Sequence, residues 1–314
     1  MTELAITASG LRKAYRDKLV LDGIDLSVRA GTVFSLLGPN GAGKTTTVNV
    51  LTTLLKADAG TVRVAGHDVV SETKAVRAAI GVTGQFASVD DLLTGEENLR
   101  LMADLLHLGS REGKRVVEDL LRRFDLTESA GKRAVTYSGG MRRKLDLAMT
   151  LVGRPEIIFL DEPTTGLDPR SRRTMWNIVR ELVADGMTIF LTTQYLEEAD
   201  QLADQIAVLD QGKLVAEGTP DQLKRRIPGG HVRLRFPDAA RLNSAARVLP
   251  DVSSDDENLI LRVPSDGGVK SLQALLGRLD EYAIDVEELS VHTPDLDDVF
   301  LALTGHASME ANAR

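Results

Sequence analysis

Gly38-Pro39-Asn40-Gly41-Ala42-Gly43-Lys44-Thr45 is a full match to G-x-x-x-x-G-K-[ST], set between a strand-like run, Val33 to Leu37, and a helix-compatible run, Thr46 to Leu55. Strand before and helix after is the context that this pattern requires. The glycines let the loop wrap closely around phosphates with its backbone N–H groups turned inward, and the helix that follows adds its partly positive N-terminus. Lys44 would reach the β and γ phosphates of a nucleotide, and Thr45 would ligate Mg2+. Thr46 completes the cradle that starts at Gly38. An ordinary glycine-rich turn would have no use for the Lys-Thr pair.

Farther along, Ile157-Ile158-Phe159-Leu160-Asp161-Glu162-Pro163 ends a buried-strand pattern on two adjacent carboxylates. Asp161 would orient a Mg2+ shell, and Glu162 would polarise an attacking water as general base, a role worth roughly 10²- to 10⁴-fold in rate. Other short apolar runs, at Thr61 to Val64, Thr188 to Thr192 and Ile206 to Leu209, alternate with helical patterns, which predicts an α/β fold around a mainly parallel sheet. From about Phe86 to Gly153 the spacing of Leu99, Met102 and Leu106, and of Val116, Leu120 and Phe124, predicts a helical insert.

The chain has 314 residues, with 38 Lys and Arg against 46 Asp and Glu, and a net charge of -8. An acidic balance disfavours broad phosphate-backbone binding, so nucleic acid is not expected as a partner. The chain contains no Cys, which excludes thiolate metal sites and cysteine nucleophiles. Its apolar runs are strand-sized and its start, Met-Thr-Glu-Leu-Ala, lacks a signal-peptide pattern, so a cytoplasmic address is expected. The five histidines, at positions 67, 107, 231, 292 and 306, are far apart in sequence and read as structural or solvated.

A basic run and Pro228-Gly229-Gly230 mark a joint, giving a nucleotide-binding domain over 1–224 and a second domain over 225–305. Strand candidates at His231 to Phe236, Leu259 to Val263 and Ile284 to Val291, with helical patterns between them and after Pro294, predict a small α+β domain. Residues 306–314 read as a polar tail.

Tyr137-Ser138-Gly139-Gly140-Met141 stands before an amphipathic helix built on Leu145, Ala148 and Leu151, a second helix N-terminus with glycines. The order of cradle, Gln85, Ser-Gly-Gly, Asp-Glu and Thr165-Gly166-Leu167-Asp168 resembles the ATP-binding subunit of an ABC transporter over about Leu4 to Pro220. That resemblance implies a P-loop core with an added antiparallel β subdomain and a helical subdomain. It also implies ATP and Mg2+ as ligands, and a head-to-tail homodimer in which Ser138, Gly139, Gly140 and Met141 grip the γ-phosphate held by the other copy. Asp168 would lie across the seam, Gln85 would touch both Mg2+ and the attacking water, and Tyr15 would stack on adenine or else pack on the sheet edge.

Three positions depart from the common family pattern. The signature carries Tyr137 and Met141, and Thr192-Thr193-Gln194-Tyr195 has Gln where a switch histidine is usual. Gln194 offers N–H donors but cannot titrate, so hydrolysis would lean more on Glu162. These departures occur together in the daunorubicin/doxorubicin-resistance type of ABC ATPase, which the chain also resembles in Val82-Thr83-Gly84-Gln85, Tyr137 to Leu147, Thr192 to Asp200 and Leu296 to Gly305.

The resemblance implies an ATP-hydrolysing export subunit on the cytoplasmic face of the cell membrane, driving efflux of a hydrophobic drug or lipid through a separate polytopic permease and without direct cargo contact. The C-terminal domain would serve assembly. A hydrolysis-impaired regulatory subunit and a non-transport ABC ATPase are the alternatives. The latter usually carries tandem cassettes or a long coiled-coil insert, whereas here Ser138 follows Thr46 by 92 positions and the chain has a single cradle. The run Arg142-Arg143-Lys144 reads as a solvated outer face of the signature helix or a partner contact.

Overall fold

The computed structural model describes residues 3–85, 87–225, 230–265, 268–292 and 294–305. Phe86, most of the breaker cluster at 228–230 and the whole stretch read as a tail lie outside them. The chain divides into two compact units, the first running to Pro220 and the second starting at Asp221.

In the first unit the strands are β1 (Leu4–Tyr15), β2 (Lys18–Arg29), β3 (Val33–Leu37), β4 (Ala59–Val64), β5 (His67–Asp68), β6 (Ile80–Thr83), β7 (Ile157–Asp161), β8 (Thr188–Thr193), β9 (Gln205–Asp210) and β10 (Lys213–Gly218). The helices are α1 (Lys44–Leu51), α2 (Thr73–Ala79), α3 (Gly95–Leu105), α4 (Ser110–Arg123), α5 (Gly139–Leu151), α6 (Pro169–Ala184) and α7 (Leu196–Leu202). A short helix, α8 (Pro220–Arg225), starts where the units divide.

The central sheet has the order β10-β9-β3-β8-β7-β6, parallel except for β10. Every residue of β3, β7 and β8 is buried, as expected of strands covered on both faces. Alternation along these strands sends Phe34, Leu36, Phe159 and Phe190 to one face and Val33, Ile158, Leu160, Ile189 and Leu191 to the other. The first set packs with α1 and the antiparallel sheet β2-β1-β4-β5. The second set packs with α3, α4, α5 and α6. Phe190 lies 5.5 Å from Phe34 and 5.4 Å from Phe159 between ring centroids, so three strands share one aromatic cluster.

Local signals set the insert. Thr94 caps α3 in a reciprocal box with Glu97, and α3 and α4 bury Leu99, Val116, Val117, Leu120 and Leu121 against α5. Leu106, read from its spacing as helical, sits past the end of α3 and is exposed. Helix α1 begins two residues earlier than the pattern predicted and ends four residues earlier, where Thr53 turns left-handed.

The second unit holds β11 (His231–Arg235), α9 (Ala239–Val248), β12 (Ser253–Asp255), β13 (Ile260–Pro264), α10 (Val269–Glu281), β14 (Glu288–His292) and α11 (Leu296–Thr304). Its antiparallel sheet has the order β12-β13-β11-β14. Val232, Leu234, Leu261 and Val263 face Leu242, Ala245, Leu275 and Leu279 of α9 and α10 in a core of its own. Strand β14 starts at Glu288 and not at Ile284, because the Ile284 N–H is taken by Leu279 O to close the end of α10. The fold also joins two histidines that lie far apart in sequence: His231 and His292 are cross-strand partners with ring centroids 4.8 Å apart.

Phe190→Ala removes the shared ring of the aromatic cluster from a fully buried site. We expect a loss of about 3 to 5 kcal/mol, read from urea unfolding midpoints at unchanged m-value. A loss below about 1 kcal/mol would mean that the sheet does not depend on that cluster.

Candidate functional site

Four neighbouring parallel strands, β3, β8, β7 and β6, end on the same side of the sheet, and each delivers residues singled out from the sequence. The carboxyl ends of strands are where open α/β sheets bind ligands. Past β3 the chain enters the cradle. A Cβ on Gly38 would lie 2.2 Å from Leu209 O, and the Gly38 N–H donates to Thr193 O at 3.3 Å, so β3 and β8 are pinned together there. Gly43 caps α1 with φ 114°, and a Cβ on it would lie 2.7 Å from Leu21 Cδ2. Conformation and space therefore both demand glycine at 43. Pro39 and Ala42 are at least partly buried, Asn40, Gly41 and Thr45 are exposed, and Thr46 is half-buried in the first turn of α1.

Lys44 is 5% exposed, and its ammonium is held by the protein itself. Nζ donates to Gly38 O at 2.8 Å and to Pro39 O at 3.2 Å, and lies 3.2 Å from Glu162 Oε1. Burial pushes the Lys44 pKa down, and the Glu162 carboxylate opposes that shift. Glu162 adopts φ 48°, a left-handed backbone rarely tolerated by a residue with a side chain, and strain of this kind collects at working sites. Its N–H donates to Thr192 O at 3.1 Å and Thr192 Oγ1 at 3.2 Å, and its carboxylate accepts from Thr165 Oγ1 at 3.3 Å. The Thr192 hydroxyl in turn donates to the buried carboxylate of Asp161. Thr192 thus orients both acids, a role the sequence did not disclose because it reads there as one more strand threonine.

The basic run on α5 is not a solvated face. Arg142 pairs with Asp91 at 2.7 Å and Lys144 with Asp125 at 3.8 Å, but Arg143 is buried. Its guanidinium donates to Gly84 O at 2.7 Å, Pro163 O at 2.9 Å and Asp161 O at 3.2 Å, and pairs with Asp146 at 3.3 Å. Asp146 also accepts from the Ser88 N–H at 2.8 Å. One side chain therefore ties the signature helix to the carboxylate-bearing strand end and to the segment carrying exposed Gln85. Arg143, Asp146 and Leu147 share a helix face at i, i+3 and i+4, turned away from the stripe of Leu145, Ala148 and Leu151, and α5 is buried on both faces.

Ser138 caps α5 by accepting from the Met141 N–H at 3.3 Å. Gly139 and Gly140 open that helix, and a Cβ on Gly140 would lie 2.6 Å from Ser171 Oγ. Ser171 donates to Asp168 at 2.6 Å, and the carboxylate also accepts from the Arg170 and Ser171 amides at 3.0 Å. These bonds, the Ser171 hydroxyl first, hold Asp168 below its ordinary pKa. Ser138 through Met141 and Asp168 thus form a second group, which makes no hydrogen bond to the cradle among the described residues. Tyr137 is accounted for by packing: its ring is buried, its hydroxyl donates to Ser129 O at 2.7 Å, and it presses on Gly95 where α3 begins.

Tyr15, at the end of β1, is 48% exposed, with Lys13 Nζ 5.8 Å from its ring centroid, so it is not packed into the sheet edge. Gln194 is half-buried just past β8, beside Thr193, whose hydroxyl accepts from the Tyr195 N–H at 2.9 Å. Glu198, in α7, was also given no role from the sequence. It is fully buried, and it accepts from Thr164 Oγ1 at 2.8 Å and Trp176 Nε1 at 3.1 Å.

Residues 21–165 match the model of the ABC transporter family. Daunorubicin resistance ATP-binding protein DrrA3 of Streptomyces coeruleorubidus is 50% identical over 97% of each chain. The chain belongs to the ABC transporter ATP-binding proteins of the daunorubicin-resistance type. Doxorubicin resistance ATP-binding protein DrrA of Mycobacterium tuberculosis (strain ATCC 25618 / H37Rv) is 42% identical over 96% of this chain and 94% of that one, and Nod factor export ATP-binding protein I of Rhizobium sp. (strain N33) is 36% identical over 97% and 98%. Among solved structures, an ATP-binding subunit of an ABC transporter superposes with TM-score 0.64 at 28% identity, covering 71% of this chain and 92% of that one. An ABC cassette in its ADP conformation gives 0.63 at 27%, covering 70% and 93%. The protein is an ABC ATPase, a nucleotide-binding enzyme that hydrolyses ATP. No helix among the described residues is long and apolar enough to cross a membrane.

Burial raises the Glu198 pKa, and hydrogen bonds to its carboxylate offset this only in part. The folded pKa therefore exceeds the ordinary glutamate value near about 4.3. Above that value the unfolded chain releases a proton that the folded one retains, so this group's contribution to stability falls as pH rises. Glu198→Gln keeps an oxygen acceptor for Thr164 and Trp176. Its stability relative to wild type should improve between pH 5 and pH 8 in urea titrations, and a relative loss over that range would contradict the assignment.

Proposed function

We propose that this chain is the motor of an exporter. Its nucleotide-binding domain, residues 1–224, would bind ATP in the cradle Gly38 to Thr46 with Tyr15 against the adenine, and close as a head-to-tail homodimer. Ser138, Gly139, Gly140 and Met141 of one copy would then meet the nucleotide held by the other, with Asp168 at the seam. The observation that carries the reading is the buried contact of Lys44 with Glu162 at 3.2 Å, beside Asp161, at the mouth of the parallel sheet. A phosphate entering the cradle would compete with Glu162 for the Lys44 ammonium. The displaced carboxylate, still positioned by its backbone and by Thr165, would accept a proton from water as that oxygen bonds to the γ-phosphorus and the bond to ADP breaks. Gln194 would donate an amide N–H toward the same phosphate without changing charge.

The donors suit Mg2+. Thr45, Gln85 and Asp161 offer hard oxygens, which fits an ion held jointly by protein oxygens and the substrate's phosphates. When bound, Mg2+ would neutralise charge on the phosphates. Arg143 would transmit the state of the site, since it joins the Gln85 segment to the strand end that bears the acids.

The closed dimer would act on a separate polytopic permease, with the chain peripheral on the cytoplasmic face of the membrane. Full-length relatives named for daunorubicin or doxorubicin resistance and for Nod factor export support a hydrophobic drug or lipid as cargo. Residues 225–305 would serve assembly.

Glu162→Gln should retain ATP binding and give an ATP-dependent dimer by light scattering, with turnover reduced at least about 10²-fold. Hydrolysis at the native rate would refute Glu162 as the base. Gln194→His should leave phosphate release equal or higher; a collapse of activity would show that the amide does something an imidazole cannot.

A further inference from the structure

Strand β14 is an edge of the second unit's sheet: it pairs with β11 on one side and with no strand on the other among the described residues. All five of its side chains are exposed. The register makes two of them anomalous. Leu289 lies opposite Leu234 and Val291 opposite Val232, so both project from the face of the sheet that carries the core, yet they are 37% and 40% exposed while their partners are fully buried. An apolar row runs out of the core to this edge and stops there. The opposite edge is handled differently: β12 has three residues and runs into Asp255-Asp256-Glu257, the short and charged form that discourages strand addition. Strand β14 contains no Pro or Lys and alternates regularly, so it keeps an open ladder.

We propose that β14 pairs antiparallel with β14 of a second copy of this chain, so that two four-stranded sheets become one. The proposal rests on the assembly role given above to this unit, and supplies its surface and its occupant. A two-fold axis normal to the sheet keeps both cores on the same side, which allows only registers that set core-side residues opposite core-side residues. The register that overlaps the whole strand centres on Ser290. It places Glu288 opposite His292 of the second copy, Leu289 opposite Val291, and Ser290 opposite itself. Each sheet end thus gains an acid facing an imidazole, and the exposed apolar pair is covered from both sides. Sliding by two residues pairs only 288–290 or 290–292 and loses the Glu288–His292 match. Within the chain Glu288 has Arg235 at 4.0 Å and His292 has Asp298 at 3.5 Å, so the new pairs extend an existing charged fringe. This self-complementarity specifies a second copy over an unrelated strand.

The chain has no cysteine, so Ser290→Cys in the full-length protein carries a single thiol. Directly opposed residues have Cβ atoms roughly 4.5 to 5.5 Å apart, close to what a disulfide bridges. Mild oxidation of nucleotide-free Ser290→Cys with diamide should give a covalent dimer at least about fivefold above that from Ser254→Cys, an exposed position on the opposite edge. Leu289→Lys/Val291→Lys in the same background should abolish the cross-link and shift the protein from dimer to monomer by light scattering, with its circular dichroism and ATP binding unchanged. A nucleotide-free dimer in which Ser290→Cys cross-links no better than Ser254→Cys would overturn the edge pairing and leave the assembly role standing. A nucleotide-free monomer would overturn both. A Leu289→Lys/Val291→Lys variant as dimeric as wild type would overturn the pairing.

Discussion

A buried ammonium cannot go unmatched, and much of this molecule is arranged so that Lys44 does not. Its three protons meet two carbonyls of the cradle and the carboxylate of Glu162. To offer those carbonyls the loop must fold back on itself, which is possible only with glycine at 38 and 43, where strand β9 and the β2 side chains leave no room for a Cβ. To offer the carboxylate, the chain beyond β7 must turn into a left-handed conformation, and the β8 residue Thr192 holds it there. The parallel order of β3, β8 and β7 brings the three contributors together. Removing one partner from a desolvated set of this kind leaves an uncompensated charge, which is more costly than never having built the set.

Arg143 applies the same physics one layer out. The signature helix packs on the sheet through apolar residues, but its register against the end of β7 is set by a guanidinium with several backbone acceptors and one carboxylate. Dispersion contacts tolerate sliding, whereas a planar fork of donors aimed at fixed carbonyls does not. The Gln85 segment, the end of β7 and the start of α5 therefore move together or not at all.

What could be read from residues alone follows from how local each signal is. The cradle octet, the Asp-Glu strand end and the buried runs of β3, β7 and β8 are contiguous, and their chemistry needs neighbours in sequence, so they were legible. The long hairpin of β1 and β2 was not placed, because its register shifts break the simple alternation on which strand reading depends. Arg143 was misread as solvated because a run of three basic residues suggests surface, and only the tertiary acceptors at Gly84, Asp161 and Pro163 make burial of the middle one tolerable. Thr192 and Glu198 fall inside the resembling block Thr192 to Asp200, but the block assigns neither a role, which comes from what the fold sets beside them. The pairing of His231 with His292 likewise required knowing that β11 and β14 are neighbours.

Asp168 is engaged before anything docks against it. Its carboxylate caps α6 through two amides and the Ser171 hydroxyl, and Ser171 is also the residue that crowds Gly140. Rotamer freedom that a surface aspartate ordinarily loses on association has here been surrendered during folding. A surface immobilised in this way recognises shape more than it adapts to it. Whatever meets the Ser-Gly-Gly face encounters a template whose tolerance for misfit was set when the polypeptide first folded.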